Sequence, residues 1–428
     1  MKTGELTRTI RLPQVVALYI GAVMGSGILL VPGLAAQMAG PASLIAWGFM
    51  LILVLPMGLV MGMLASKYPN AGGVSHFVKK AFGERWGVYI GWLFLMSVVI
   101  GGPINALVGA DYLAAAMGFG TGMKMFLATF MIALGILVNY RGFQVGGTIQ
   151  LFVIGAIILV LLATIFGSVP NIEATNFTPF VPHGWMAVGQ AMTILFWCFI
   201  GWEAVSHLSE EFVNPKRDSI LGVIIAAGIV GLLYFFTAFA TVGTGNVGSG
   251  RASVSLLSVI QQILGPIGGL FAGVVSFLIC TATAIAYLGA ASRLAYALGR
   301  DGNAPRFFSR LSQHQTPVGG LIFLAFCFIL VLLTIGMEWT TLEKAIQLPN
   351  ASFIVIYLIG CAAGVRLLRD SKWGKAMSWI SLVATLAVVP FIGWSVLYPL
   401  IIAAMMFLFT RKYKLKQGQE TNIDQMVS

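Results

Sequence analysis

Tyr19-Ile20-Gly21-Ala22-Val23-Met24-Gly25-Ser26-Gly27-Ile28-Leu29-Leu30 is an apolar run with a Gly-Ser-Gly step set into its middle. A second run, Phe196-Trp197-Cys198-Phe199-Ile200-Gly201-Trp202-Glu203, carries a glycine and an acid inside the apolar stretch 186–209. Backbone left unpaired in a bilayer survives only where protein encloses a cavity. Two glycine-interrupted spans in corresponding halves of a chain therefore point to a solute-binding site near the midplane.

Working outward, the whole chain has membrane composition. Of its 428 residues 58% are hydrophobic and 9% charged, where soluble domains carry about 25% charged residues. Mean hydropathy is +0.93. Cys198, Cys280, Cys327 and Cys361 sit in apolar runs without C-x-x-C spacing, so neither a disulfide framework nor a zinc site is indicated. The scattered His76, His183, His207 and His314 form no H-E-x-x-H, which argues against an intramembrane metalloprotease; no metal or cofactor is expected. The net charge of +11 lies in short segments between apolar runs, without a basic face of interleaved aromatics, so nucleic acid is not an expected partner.

About 20 apolar residues cross a bilayer, and on that measure the chain reads as an all-α polytopic membrane protein with twelve transmembrane helices. Residues 1–12 precede the first span. Residues 13–168 hold five spans, 169–185 an outer loop, 186–370 five more, and 371–410 two short ones meeting at Phe391-Ile392-Gly393-Trp394. With the N-terminus inside, every Lys and Arg except Lys124, Arg251 and Lys344 falls on the cytoplasmic side. That asymmetry supports the count and places both termini, including the polar tail 411–428, in the cytoplasm. The first span is too long for a signal-peptide core and has Pro32-Gly33 close to the candidate cleavage site, so it is read as retained. Each break opens a set of five spans; five is odd, so the second set is inverted relative to the first, giving a 5+5 inverted repeat plus two C-terminal helices.

The chemistry of the breaks suits a zwitterion. A broken helix offers N–H groups where its second half begins and carbonyls where its first half ends. The expected carboxylate partners are Gly25, Ser26 and Gly27, and the expected ammonium partners are carbonyls around Val23, Trp197 and Ile200. Gly-x-Gly is also the signature of close helix packing, so the second break and its acid carry the weight of the argument. Glu203 is costly at mid-bilayer, by roughly 2.5–3.5 kcal/mol. It is tolerable facing a cavity or held neutral, both of which suit a proton carrier; a protonated carboxyl that merely satisfies backbone is the alternative. His207, four residues on and on the same helical face, forms a relay with Glu203 or a structural hydrogen bond. Asp111 is expected near water at the outer end of the third span.

Four segments carry a family resemblance. They are Met24-Gly25-Ser26-Gly27-Ile28 with Val31-Pro32-Gly33, Tyr68-Pro69-Asn70-Ala71-Gly72-Gly73 running to Gly91-Trp92, Phe199-Ile200-Gly201-Trp202-Glu203 through Asp218, and Ser292-Arg293 through Arg300-Asp301-Gly302 to Thr316-Pro317. Their order and spacing resemble the amino acid–polyamine–organocation superfamily. Ala71-Gly72-Gly73-Val74-Ser75-His76-Phe77-Val78 and Phe196-Trp197-Cys198-Phe199-Ile200-Gly201 resemble its bacterial efflux branch, whose closest known type exports methionine and branched-chain amino acids. The resemblance implies a LeuT-type fold in the bacterial inner membrane, with substrate at Gly25-Ser26-Gly27 opposite Trp197 to Glu203. It places Gly102 where a related antiporter has asparagine, and Tyr287 where that antiporter has an aromatic cap. The fifth span carries no charged residue in place of the lysine that some members use to stand in for a coupling cation.

Ala22, Gly102, Trp202 and Tyr287 are expected around the substrate side chain, with Trp197 and Trp202 as gates. Small or apolar residues there favour methionine, leucine, isoleucine and valine, exported in exchange for protons through Glu203. Proton-coupled import and amino-acid exchange are the rival modes, and a transporter-like sensor the rival class. A channel would need a polar pore or charged ring, and an enzyme a convergent nucleophile or metal set; the sequence offers neither. Beyond the amino acid, protons and lipid no partner is indicated, and the oligomeric state is open.

Overall fold

The computed structural model describes residues 10–68, 73–142, 147–203, 212–246 and 252–407. His207, residues 69–72 and 210–211 of the segments quoted above, and the tail 411–428 lie outside the described residues.

The chain begins as two short helices where one long one would fit. α1, Leu12–Val23, starts with Pro13 in its first turn, where a missing N–H costs nothing, and with the Gln14 side chain accepting the Arg11 N–H at 2.8 Å. α2, Ser26–Ala39, contains Pro32, which removes an N–H and opens the turn. In the same turn the carbonyl of Leu29 accepts the Tyr112 hydroxyl. α3 (Ser43–Lys67) returns, and a short amphipathic α4 (Gly73–Phe82) leads into α5 (Glu84–Ala116), α6 (Thr121–Arg141) and α7 (Gly147–Ser168).

The second half opens with α8 (Gly184–Leu195), followed by a 3-10 turn, Phe196–Phe199. α9 (Pro215–Gly243) and α10 (Ser255–Arg300) follow; α10 is kinked at Gly265, where φ is 69°, just before Pro266. α11 (Val318–Gly336), α12 (Leu342–Leu367), α13 (Lys372–Val388) and α14 (Gly393–Phe407) complete the fold. Among the described residues, nine helices are long and apolar enough to cross a membrane, and three shorter apolar ones accompany them.

Burial separates centre from rim. In α5, 78% of the apolar window is buried, against 22% in α6 and 28% in α13. α5 packs along α10 and against α12; α9 packs on α3 and α1, and α2 on α8. Small residues permit the close approaches expected between helices in lipid. A Cβ on Gly109 would stand 2.6 Å from the Cys280 Cβ, and one on Gly58 2.9 Å from a Val223 methyl. Trp47, Phe199 and Tyr234 meet with ring centroids 5.5–6.1 Å apart, locking α3, the turn after α8, and α9 together.

Asp111, expected only near water, is held more firmly than that. Its carboxylate meets the Lys124 ammonium at 3.1 Å and accepts the Ser253 hydroxyl at 3.1 Å, tying α5, α6 and the approach to α10.

Candidate functional site

The first interruption is a two-residue gap. The last turn of α1 closes with Met24 N–H on the Ile20 carbonyl at 2.7 Å, and Gly25 N–H turns back to Val23 O at 2.9 Å. Val23 O also accepts the Tyr234 hydroxyl at 3.1 Å, so both its lone pairs are engaged. α2 then starts with Gly25 as its cap and no side chain capping it. The first N–H groups of a helix have no intrahelical acceptor and carry its positive end.

The second interruption is sharper. After the 3-10 turn, Ile200 is extended (ψ 141°) and Gly201 adopts φ +129°, a conformation that L side chains resist. Helical structure resumes at Trp202. Gly201 N–H donates to Glu203 Oε2 at 3.0 Å, and the Tyr357 hydroxyl donates to the same oxygen. Glu203 is 1% exposed.

The two breaks press together backbone to backbone. A Cβ on Gly201 would stand 2.5 Å from the Ala22 carbonyl oxygen, and one on Gly27 2.8 Å from the Cys198 Cα. Gly27 thus serves the close packing that Gly-x-Gly also signals. A Cβ on Gly25, by contrast, would meet side chains rather than backbone, Thr283 at 3.3–3.4 Å and Asn105 at 3.8 Å.

Beside the first break lies a cavity of about 520 Å³ including its mouth. Of the residues expected around a substrate, Ala22, Val23, Gly25, Ser26, Gly27, Gly102, Trp197, Ile200 and Tyr287 line it. Trp202 does not. Its fully buried ring turns away from the cavity and packs on Tyr19, centroids 5.7 Å apart, and beside Gly58. Glu203 is absent from the lining as well.

Sequence reasoning missed Ser97, Val98, Gly101, Asn105, Thr283, Ala284 and Phe353, all of which face the cavity. Asn105 had a usable signal: an amide deep in an apolar span, three residues and so one helical turn beyond Gly102. Phe353 had none, since aromatic rings fill most membrane cores.

Among the described residues, no Asp, Glu, Lys, Arg or His lines the cavity. Its polar atoms are few and oriented. Trp197 Nε1–H donates to Ser26 Oγ at 3.1 Å, with Gly101 leaving room for the indole. Ser97 and Thr283 donate to Leu93 O and Ile279 O in their own helices at 2.6 and 2.9 Å. Asn105 Nδ2 donates to Cys280 O at 2.7 Å. At one end Tyr287 stacks on Phe94 (6.2 Å, 18°), which meets Phe353 edge-on at 6.1 Å. No cluster of three His, Cys, Asp or Glu suited to a metal occurs among the described residues. Chemically, the site offers helix N–H groups, one indole-oriented hydroxyl and an apolar wall, with no nucleophile–base pair.

Comparison with known proteins agrees with this geometry. The amino acid permease family model matches residues 10–417. The chain is 37% identical over 426 residues to the uncharacterized amino acid permease YecA of Bacillus subtilis, covering 99% of both. It is 30% identical over 413 residues to the L-methionine/branched-chain amino acid exporter YjeH of Escherichia coli, covering 96% of this chain and 97% of that one. The crystal structure of MhsT in complex with L-phenylalanine superposes with a TM-score of 0.67 over 92% of this chain and 100% of that chain, at 18% identity. At that identity the likeness concerns the fold, which is of the LeuT type. With a matching model across nearly its whole length and a helical fold built around two broken helices, the chain belongs to the amino acid permease family, multi-pass membrane transporters of the amino acid–polyamine–organocation superfamily.

Proposed function

We propose that the protein moves neutral hydrophobic L-amino acids (methionine, leucine, isoleucine and valine) across the bacterial inner membrane by alternating access. The observation that carries this reading is a cavity at a helix break with apolar walls and no charged lining among the described residues. The substrate carboxylate takes the N–H groups of Ser26 and Gly27 at the start of α2, the Gly25 N–H being spent on Val23 O. Because Trp197 supplies a proton to Ser26 Oγ, the serine's own O–H is free to point at that carboxylate. Val23 O is already engaged twice, so the carbonyls of Trp197 and Ile200 face the ammonium. Ala22, Val98, Gly102, Ala284, Phe353 and Tyr287 enclose the side chain. Such a wall separates ligands differing by one methylene by only about 1–3 kcal/mol, so selectivity within the group is broad.

Twelve crossings, arranged as two inverted sets of five plus two with both termini in the cytoplasm, frame this site. The nine long and three short apolar helices support that count. One five-helix group rocks against the other, and Trp197, bonded to Ser26 across the two breaks, is the gate. Export is supported by YjeH, a methionine and branched-chain exporter at 30% identity. Proton antiport through Glu203 is the favoured coupling. Uncoupled exchange is the second reading, favoured by the position of Glu203 behind the break rather than in the cavity lining.

Counterflow of labelled leucine or methionine in proteoliposomes, with and without a pH gradient, is the test. Leucine and methionine should exchange, and lysine and glutamate should not. Transport of lysine or glutamate without leucine would sink the pocket assignment.

A further inference from the structure

One ring reaches the cavity wall from a helix that contributes nothing to the cavity lining. α11 lies at the rim: 33% of its apolar window is buried, and Ile322, Phe326, Ile329 and Leu333 stand exposed along it. Phe328 is the exception, at 1% exposure. Its ring runs tip-first into α5. A Cβ on Gly102 would stand 2.4 Å from Phe328 Cζ, 2.8 Å from Cε2 and 3.1 Å from Cε1. The outer edge of the ring therefore occupies the place where any other residue at 102 would put its side chain. In effect α11 supplies the side chain that α5 omits.

That place belongs to the wall of the site. Gly102 lines the cavity, and so do Val98 and Asn105, one turn to either side of it on the same stripe of α5. Phe328 does not line it, so a bare glycine is what stands between the ring and the solute space. The neighbouring Gly101 is filled the other way. Its missing side chain makes room for the Trp197 indole, which does face the cavity. Two adjacent glycines thus accept two rings, one from the break and one from the rim.

We propose that Phe328 sets the upper size limit of the substrate side chain by plugging the wall at Gly102 from outside the cavity. This rests on the amino-acid reading above and deepens it. With the ring in place, the site takes methionine and the branched chains and rejects the bulkier phenylalanine and tryptophan. A shorter residue at 328 leaves an apolar void that opens beside the bare glycine. Voids of that kind stay dry and admit aromatic rings.

The test is competition binding to the purified full-length protein, with labelled leucine or methionine displaced by leucine, phenylalanine and tryptophan. The parent should favour leucine over both aromatics by about tenfold or more. Phe328→Ala should lower that preference by about tenfold, and Phe328→Leu by less. Leu332→Ala removes bulk from the same buried stripe of α11, one turn on and outside the cavity lining, and should keep the preference of the parent. If Phe328→Ala yields no folded protein, Phe328→Leu decides the question alone. Three results overturn the assignment and leave the amino-acid reading standing. They are a parent that binds tryptophan as tightly as leucine, a folded Phe328 variant that raises neither aromatic relative to leucine, and an equal shift in Leu332→Ala. A parent protein that binds neither leucine nor methionine removes the amino-acid reading and this inference with it.

Discussion

The two breaks look alike in sequence and differ in how their backbone groups are satisfied. At the first, the N–H groups that open α2 have no capping side chain, and the cavity lies directly beside them. At the second, the chain brings its own acid: Glu203, two residues past Gly201, takes the Gly201 N–H and is itself held by Tyr357 on α12. One break is left uncapped, and the other is closed by a side chain of its own. The glycines follow the same division. Gly25 meets side chains that can shift, whereas Gly201 sits against the Ala22 carbonyl with φ +129°. A pair of matching interruptions is therefore not a pair of matching structures: one leaves its helix start uncapped beside the cavity, and the other is clasped by its own acid.

The strongest way to break this contrast is the same substitution at both positions. Gly201→Ala puts a methyl 2.5 Å from backbone oxygen in a strained conformation. Strain and overpacking together cost roughly 2–6 kcal/mol, so thermal melting of the detergent-purified protein should show a large fall or no folded material. Gly25→Ala meets only the Thr283 side chain, at 3.3–3.4 Å. It should melt much closer to the parent than Gly201→Ala does and weaken leucine binding, because the methyl crowds the cavity wall. Equal damage to folding at both sites would mean that the breaks are equivalent.

Glu203→Gln sharpens the comparison at the level of coupling. The amide keeps an oxygen for Gly201 N–H and Tyr357 but cannot carry a proton in and out. If the second break is the coupling element, leucine accumulation driven by a pH gradient disappears while leucine–leucine counterflow persists. Unchanged gradient-driven accumulation removes Glu203 from coupling and leaves it a backbone clasp.

How much of this could be read from the chain depends on what each residue had to contend with. Gly25-Ser26-Gly27 and Gly201 stand out because glycine in an apolar span has few uses, and Glu203 because a carboxyl there is costly. Trp202 sits next to the break in sequence, but reversal at Gly201 swings its ring onto Tyr19 and away from the cavity. Adjacency in sequence fails wherever φ turns positive. Ser97, Val98 and Gly101 were hidden for another reason. α5 is buried on all sides, so it has no polar face to reveal which side meets the cavity. The kink in α10 shows the same limit: Gly265-Pro266 marks a helix start in sequence, and the structure adds a further helical stretch, 255–264, before it.

The mildest perturbation tests the one bond that spans both breaks. Trp197→Phe keeps an aromatic ring against Gly101 and removes the N–H that donates to Ser26 Oγ. A single neutral hydrogen bond is worth about 0.5–1.5 kcal/mol net, which translates to a KM for leucine raised roughly two- to twelvefold. Folding should be little affected, because Ser26 borders the cavity and water can replace the lost donor. Ser26→Ala removes the same bond from the other side and also deletes the hydroxyl aimed at the carboxylate, so its KM should rise further than that of Trp197→Phe. If the two variants were equal, Ser26 would act only through Trp197, and the first break would hold its ligand by backbone alone. If neither variant moved KM, the indole would be packing against the break rather than joining its two halves, and the open break would owe nothing to the closed one.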